Sequence, residues 1–199
     1  MPKINAATVA DHRAQQRDAL LGAARSLLLD GGYAALTFPA LAEQTGLART
    51  TIYTYFATKD DIAVALCEVE LPLVAAEITK AVQQAKGPHD QLAAFIRAQL
   101  RAAQQRRNRI AHTLANAPLS DRARQRIIEL HHVMPSAAPL LAQLDHPHPA
   151  LAATLLQGLI NTAVTAMDAG EPPRRIIQTT VTAALNGFGH HPDETGTPH

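Results

Sequence analysis

Apolar residues near the start of the chain recur with a helical period. Within "HRAQQRDALLGAARSLLLDGGY", Leu20, Ala24, Leu27 and Leu28 stand at i, i+4, i+7 and i+8, the spacing of one buried helix face. Gly31 and Gly32 predict its end, because glycine readily takes the left-handed backbone of a helix C-terminus. Thr37 follows as an expected N-cap for "FPALAEQ", with Pro39 tolerated in the first turn. "TGL" at 45–47 reads as a short turn, after which "ARTTIYTY" resumes a helix.

Thr58 and Asp61, three positions apart, form a capping-box-like start for a long fourth helix running to Lys86. Pro72 inside it predicts a kink, and Gly87 with Pro88 ends it. Further helices are expected at about 88–107, 109–116, 120–144, 149–168 and 172–187. The tail "GHHPDETGTPH" is expected to be disordered. With no β-alternation of useful length, the pattern predicts an all-α fold.

Composition agrees with that expectation and narrows the function. The chain has 199 residues, enough for one large domain or two small ones, and is 47% hydrophobic without tryptophan. Its net charge is only +1, so any polyanion must be bound by a local arrangement rather than by bulk charge. One cysteine, Cys67, excludes an internal disulfide and suits a reducing cytoplasm. The polar start reads as no signal peptide, and no apolar run is expected to span a bilayer. No paired carboxylate, phosphate loop or activated nucleophile can be read, so no enzyme activity and no cofactor are expected. The histidines lack the i, i+4 spacing that puts two metal ligands on one helix face, and no metal site is expected.

The stretch "LARTTIYTYFATKDDI", residues 47–62, concentrates three of the seven Phe and Tyr residues of the chain. It completes a helix-turn-helix pattern over residues 38–56. Leu41, Ala42, Leu47 and Ile52 supply the contact between the two helices, and Gly46 the turn. On the outward side of the second helix stand Arg49, Thr50 and Thr51, donors able to reach base edges in a major groove. Tyr53, Tyr55 and Lys59 add two hydroxyls and an ammonium close to its exit.

With these residues the segment "LTFPALAEQTGLARTTIYTYFATKDDI" resembles the DNA-binding segment of TetR-family transcriptional regulators. The matching positions are Thr37, Gly46, Tyr53, Tyr55, Phe56 and Lys59, and the leading helix ending in "GGY" with Tyr33 is similar as well. Ala48 departs from the pattern, where the family often has serine as helix cap and phosphate donor. The resemblance implies an N-terminal three-helix DNA-binding domain at 1–57, a helical ligand-binding and dimerisation domain at 58–188, and a tail at 189–199. Arg49, Thr50 and Thr51 are then expected to read bases, while Thr37, Tyr53, Tyr55 and Lys59 hold the backbone.

The same resemblance implies a cytoplasmic repressor acting as a homodimer on a palindromic operator in double-stranded DNA and released by a small-molecule effector, with no membrane partner. Dimerisation falls to the last two long helices. Leu151, Leu155, Leu159 and Ala163 form a stripe on one, with Gly158, Thr162 and Ala166 as small neighbours; Ile177, Val181 and Leu185 form a stripe on the other. Candidates for an effector cavity are Leu71, Phe95, His112, His131 and Met134. The competing readings are an all-helical small-molecule binding protein or enzyme with an incidental helix-turn-helix-like hairpin, and an interaction scaffold whose DNA module is silent.

Overall fold

The computed structural model describes residues 6–105, 110, 113–114 and 117–188. Among them the only regular elements are helices. In chain order these are α1 (Ala6–Ala35), α2 (Phe38–Thr45), α3 (Arg49–Tyr53), α4 (Lys59–Gln84), α5 (Pro88–Gln104), α6 (Asp121–Leu130), α7 (Ala138–Ala142), α8 (Pro149–Asp168) and α9 (Pro173–Phe188). The chain divides into two compact units, Met1–Leu71 with Arg106–His132, and Pro72–Gln105 with Val133–His199. The division falls inside α4, beside Pro72. Of the expected helix at 109–116 only Ile110, Thr113 and Leu114 are described, each in helical conformation, and the tail at 189–199 lies outside the described residues.

In the first unit Leu20, Leu21, Ala24 and Leu28 of α1 are buried, and α2 packs against α1. The two glycines after α1's leucines do different work. Gly32 leaves the helical region at φ 67° and ψ −168°, a backbone that side chains disfavour. At Gly31 a Cβ would lie 2.6 Å from the Cβ of Ala35, so only glycine lets the chain fold back this closely. Tyr33 consequently turns inward and is buried, and its hydroxyl donates to Asp60 Oδ1 at the start of α4.

Local caps set the remaining boundaries here. Thr37 Oγ1 accepts from the N–H of Ala40 at 3.3 Å, and Gly46 at φ 70° closes α2 with its N–H on the Ala42 carbonyl. The capping box at α4 is reciprocal: Asp61 Oδ2 accepts from Thr58 N–H at 2.8 Å, and Thr58 Oγ1 accepts from Asp61 N–H at 3.1 Å. Ser120 caps α6 through its hydroxyl, which accepts from Ala123 N–H. Its own N–H and hydroxyl donate to Asp60 Oδ2 at 2.9 and 2.5 Å. One carboxylate thus joins the end of α1, the start of α4 and the start of α6.

Arg25 and Glu70 make a second long-range tie, with Arg25 Nε donating to Glu70 Oε1 at 3.0 Å. Close by in sequence, Cys67 is 1% exposed, and burial, with Glu68 and Glu70 adding to it, pushes its thiol up to about 12. A thiol so disfavoured as thiolate is packing material.

The second unit is built on α5, α8 and α9, which pack on one another, with α7 lying against α5 and α8. Its core contains Ile78, Leu92, Phe95, Ile96, Leu100, Leu141, Leu156 and Ile160. One expected helix, 120–144, is three pieces here: α6, a 3-10 turn at His131–Val133, and α7. Pro135 and Pro139 explain the interruption, since each lacks the N–H that continues a helix. Also unlike the expectation of no membrane-length run, α8 is 20 residues long and apolar enough by composition to cross a bilayer, and only 22% of its most apolar window is buried. Its alanines, threonines and glycine dilute the leucines, which hides that apolarity from a reading of hydrophobic runs.

The Asp60 junction has a pH signature. Burial by itself raises this carboxyl, but the Ser120 hydroxyl, the Tyr33 hydroxyl, the Ser120 N–H and Lys59 outweigh it, and the net shift is downward. A carboxyl depressed in the folded state contributes stability above its unfolded value of about 3.9, and that contribution is lost as pH falls through the folded value. Asp60→Asn is therefore expected to be less stable than wild type at neutral pH, with the gap closing on acidification below about pH 4. Urea midpoints across that range check this, and a gap that does not change with pH contradicts it.

Candidate nucleic-acid interface

The two helices of the motif pack on each other, and Leu41 of α2 and Ile52 of α3 are both 0% exposed. Ile52 faces inward, so Arg49, Thr50 and Tyr53 are left on the open side of α3, with Thr51 half-buried between. Phe56, one turn beyond Ile52, is buried as well. No side chain caps α3: Ala48 occupies the N-cap without a side-chain hydrogen bond, and only its carbonyl takes part, accepting from Thr51 N–H at 2.9 Å. The departure seen in the sequence is thus a real loss of a cap, worth about 0.5–2 kcal/mol in comparable helices.

The aromatic residues are arranged in layers. Tyr53 stacks on Phe38 of α2, ring centroids 4.4 Å apart and planes 14° from parallel, while remaining 55% exposed. Its ring thereby holds α3 to α2, and its outer edge stays open. The Tyr55 hydroxyl, expected at the DNA backbone, donates in the DNA-free chain to Gln16 Oε1 of α1 at 2.7 Å. A phenol has one proton to donate, and here it is spent within the protein. Lys59 lies with Nζ 4.1 Å from the centre of the Tyr33 ring, so its ammonium is steered by a cation–π contact.

The α1 residues at this site were not singled out from the sequence. Arg13 lies over the Tyr55 ring at 5.5 Å, and Arg17 over Phe56 at 6.0 Å. With Gln16 they occupy i, i+3 and i+4, one face of α1, a spacing that is visible in the sequence. What the sequence does not carry is that this face meets the exit of α3, far along the chain. Thr37 remains exposed as the cap of α2.

The expected effector-site residues do not form one cluster within either unit. Leu71 and His131 fall in the first, Phe95 and Met134 in the second, and His112 lies outside the described residues. Phe95 is 2% exposed and packed in the core, with Met134 against the edge of that core. His131 is exposed, its Nδ1 2.7 Å from the Ile127 carbonyl oxygen.

Of the expected dimer residues, Leu151, Leu155, Gly158 and Thr162 form an open stripe on α8. Ala163 and Val181 are instead buried in the core of their own unit and are not available to a partner. Leu159, Ile177 and Leu185 are half-buried against that same core, and Ala166 is half-buried on α8.

Comparison with known proteins agrees with the geometry. Solved structures sharing the fold include SCO4454, a TetR-family transcriptional regulator from Streptomyces coelicolor, with TM-score 0.72 and 18% identity over 89% of this chain and 97% of that one. FadR from Bacillus subtilis, solved with stearoyl-CoA, has TM-score 0.68 and 20% identity over 87% and 99%. PfmR from Thermus thermophilus, also TetR-family, has TM-score 0.64 and 21% identity over 86% and 99%. No curated protein matches the chain in sequence. Residues 20–66, the stretch from the core of α1 through the helix-turn-helix into α4, match the model of the bacterial regulatory proteins of the tetR family. The chain thus carries, at residues 20–66, a segment that matches the tetR-family DNA-binding region, within a fold similar to that of solved TetR-family transcriptional regulators.

Proposed function

We propose that the protein is an effector-responsive repressor that binds a palindromic operator as a homodimer. The observation that carries this reading is the exposure of Arg49 and Thr50 on a helix fixed from below by fully buried Ile52. Arg49 forms a bidentate contact with a guanine, the commonest specific pairing, and Thr50 and Thr51 approach neighbouring bases. Thr37, the open edge of Tyr53 and the Lys59 ammonium meet phosphates. Tyr55 serves as a positioning residue that ties Gln16 and Arg13 to the exit of α3.

One recognition helix reads only a few base pairs, so two are needed, about 34–36 Å apart on successive major grooves. Support for a dimer comes from α8. Leu151 and Leu155 are 59% and 56% exposed, one turn apart, and a Cβ at Gly158 would meet nothing within 4 Å. The hydroxyls of Thr154, Thr162 and Thr165 each donate to the carbonyl four residues back, which leaves their methyl groups as the outer surface. Such an apolar stripe is costly in water and is covered by its symmetry mate. An effector then releases the operator only to the extent that it binds the DNA-free conformation more tightly. FadR's stearoyl-CoA makes a small-molecule effector a reasonable expectation for this fold without naming one for this chain.

Two outcomes test these assignments. With duplexes selected from a random pool, Arg49→Ala is expected to lose about 1–3 kcal/mol of specific affinity while its affinity for random duplex changes little. If wild type and variant bind selected and random duplex equally, the protein is not a specific reader through Arg49. In sedimentation equilibrium, wild type is expected to be dimeric and Leu151→Asp/Leu155→Asp monomeric with unchanged helical content. A variant that stays dimeric removes this face of α8 from the interface.

A further inference from the structure

The second unit carries an open cleft of about 520 Å³ between α5 and α9, within the size range of small-molecule sites. Among the described residues, three guanidinium groups line it, those of Arg97 and Arg101 on α5 and Arg174 on α9, and no carboxylate does. None of the three has an ion-pair partner among the described residues. Beside them the lining includes apolar Ile177 and Val181.

Local helix energetics do not account for this grouping. Arg97 and Arg101 stand at i, i+4, where like charges repel. Arg174 sits in the first turn of α9, which holds no acidic residue, at the helix end where a cation is disfavoured. Only Arg101, in the last turn of α5, suits its helix. In a chain of net charge +1, three unpaired guanidinium groups around one concavity form a local excess that a bound anion would relieve.

The geometry points to a binding site for a small organic anion, one that bears a phosphate or carboxylate group on an apolar body. The guanidinium groups take the anionic head by charge-assisted, forked hydrogen bonds. Half-buried Ile177 receives the apolar body, with buried Val181 forming the floor beneath it. The cleft belongs to the second unit and the DNA-reading helix to the first, and the proposal does not depend on the repressor assignment, because binding is read directly on the DNA-free protein.

The test uses 1-naphthyl phosphate as probe, with 1-naphthol as its uncharged counterpart, followed by fluorescence at fixed ionic strength. Wild type is expected to bind the phosphate and to prefer it to the naphthol, with inorganic pyrophosphate competing. Arg101→Gln and Arg174→Gln are each expected to weaken binding of the phosphate by about tenfold or more, the scale of a lost hydrogen bond to a charged group. Lys80→Gln, on an exposed part of α4 away from the lining, is expected to leave binding unchanged. Equal affinity for phosphate and naphthol overturns the proposal. So does equal weakening by Lys80→Gln, which would make the attraction one of net charge. Loss of dimer or of duplex binding in the arginine variants, with probe affinity unchanged, also overturns it and assigns the arginines to a partner protein chain or to DNA.

Discussion

A helix of five residues does not hold itself together in water, because the cost of its first turn is never recovered along so short a length. α3 is such a helix, and it has no side-chain cap. Its existence and its orientation therefore rest on the burial of Ile52 against the first helix of the motif. That contact is assisted by the Tyr53–Phe38 stack and by Phe56 one turn on. The left-handed turn at Gly46 brings the two helices to the required angle. Everything proposed for DNA recognition follows from this one arrangement, since fixing Ile52 inward fixes Arg49 and Thr50 outward.

Features set by neighbours in sequence were legible before the structure. The Thr37 cap, the Gly46 turn and the Thr58–Asp61 capping box all appear as read, because each needs only residues a few positions apart. Pairings across the chain were not legible. Tyr55 with Gln16, Lys59 with Tyr33, and Asp60 with Ser120 join residues whose proximity is decided by packing. For that reason the Tyr55 hydroxyl, expected from the sequence at a phosphate, is found on Gln16 of α1 in the DNA-free chain. The segment 120–144 was read as one helix because its apolar spacing continues across Pro135, where the backbone does not.

The α8 stripe shows a related limit. Periodicity located an apolar face, yet it did not separate the part that covers the unit's own core from the part left open. Ala163 went inward and Leu151, Leu155 and Gly158 stayed outward, a choice made by where α5 and α9 lie against α8. The second unit thus presents two chemically opposite surfaces, an apolar face on α8 and an arginine cleft between α5 and α9. Neither coincides with the mixed cavity that the sequence suggested around Leu71, Phe95, His112, His131 and Met134, of which His112 lies outside the described residues.

The central claim is that this chain reads DNA by arrangement and not by bulk charge. Within residues 1–67, six basic residues are matched by six acidic ones, so only the cations brought to the α3 side are available for phosphates. Those are Arg13, Arg17 and Lys59, since Arg49 is given to a base. The dependence of operator affinity on salt concentration measures this directly, because its logarithmic slope counts the phosphates neutralised, at about 0.9 per contact. The account predicts a shallow slope, on the order of three contacts per monomer. A slope of about ten or more per monomer would contradict it.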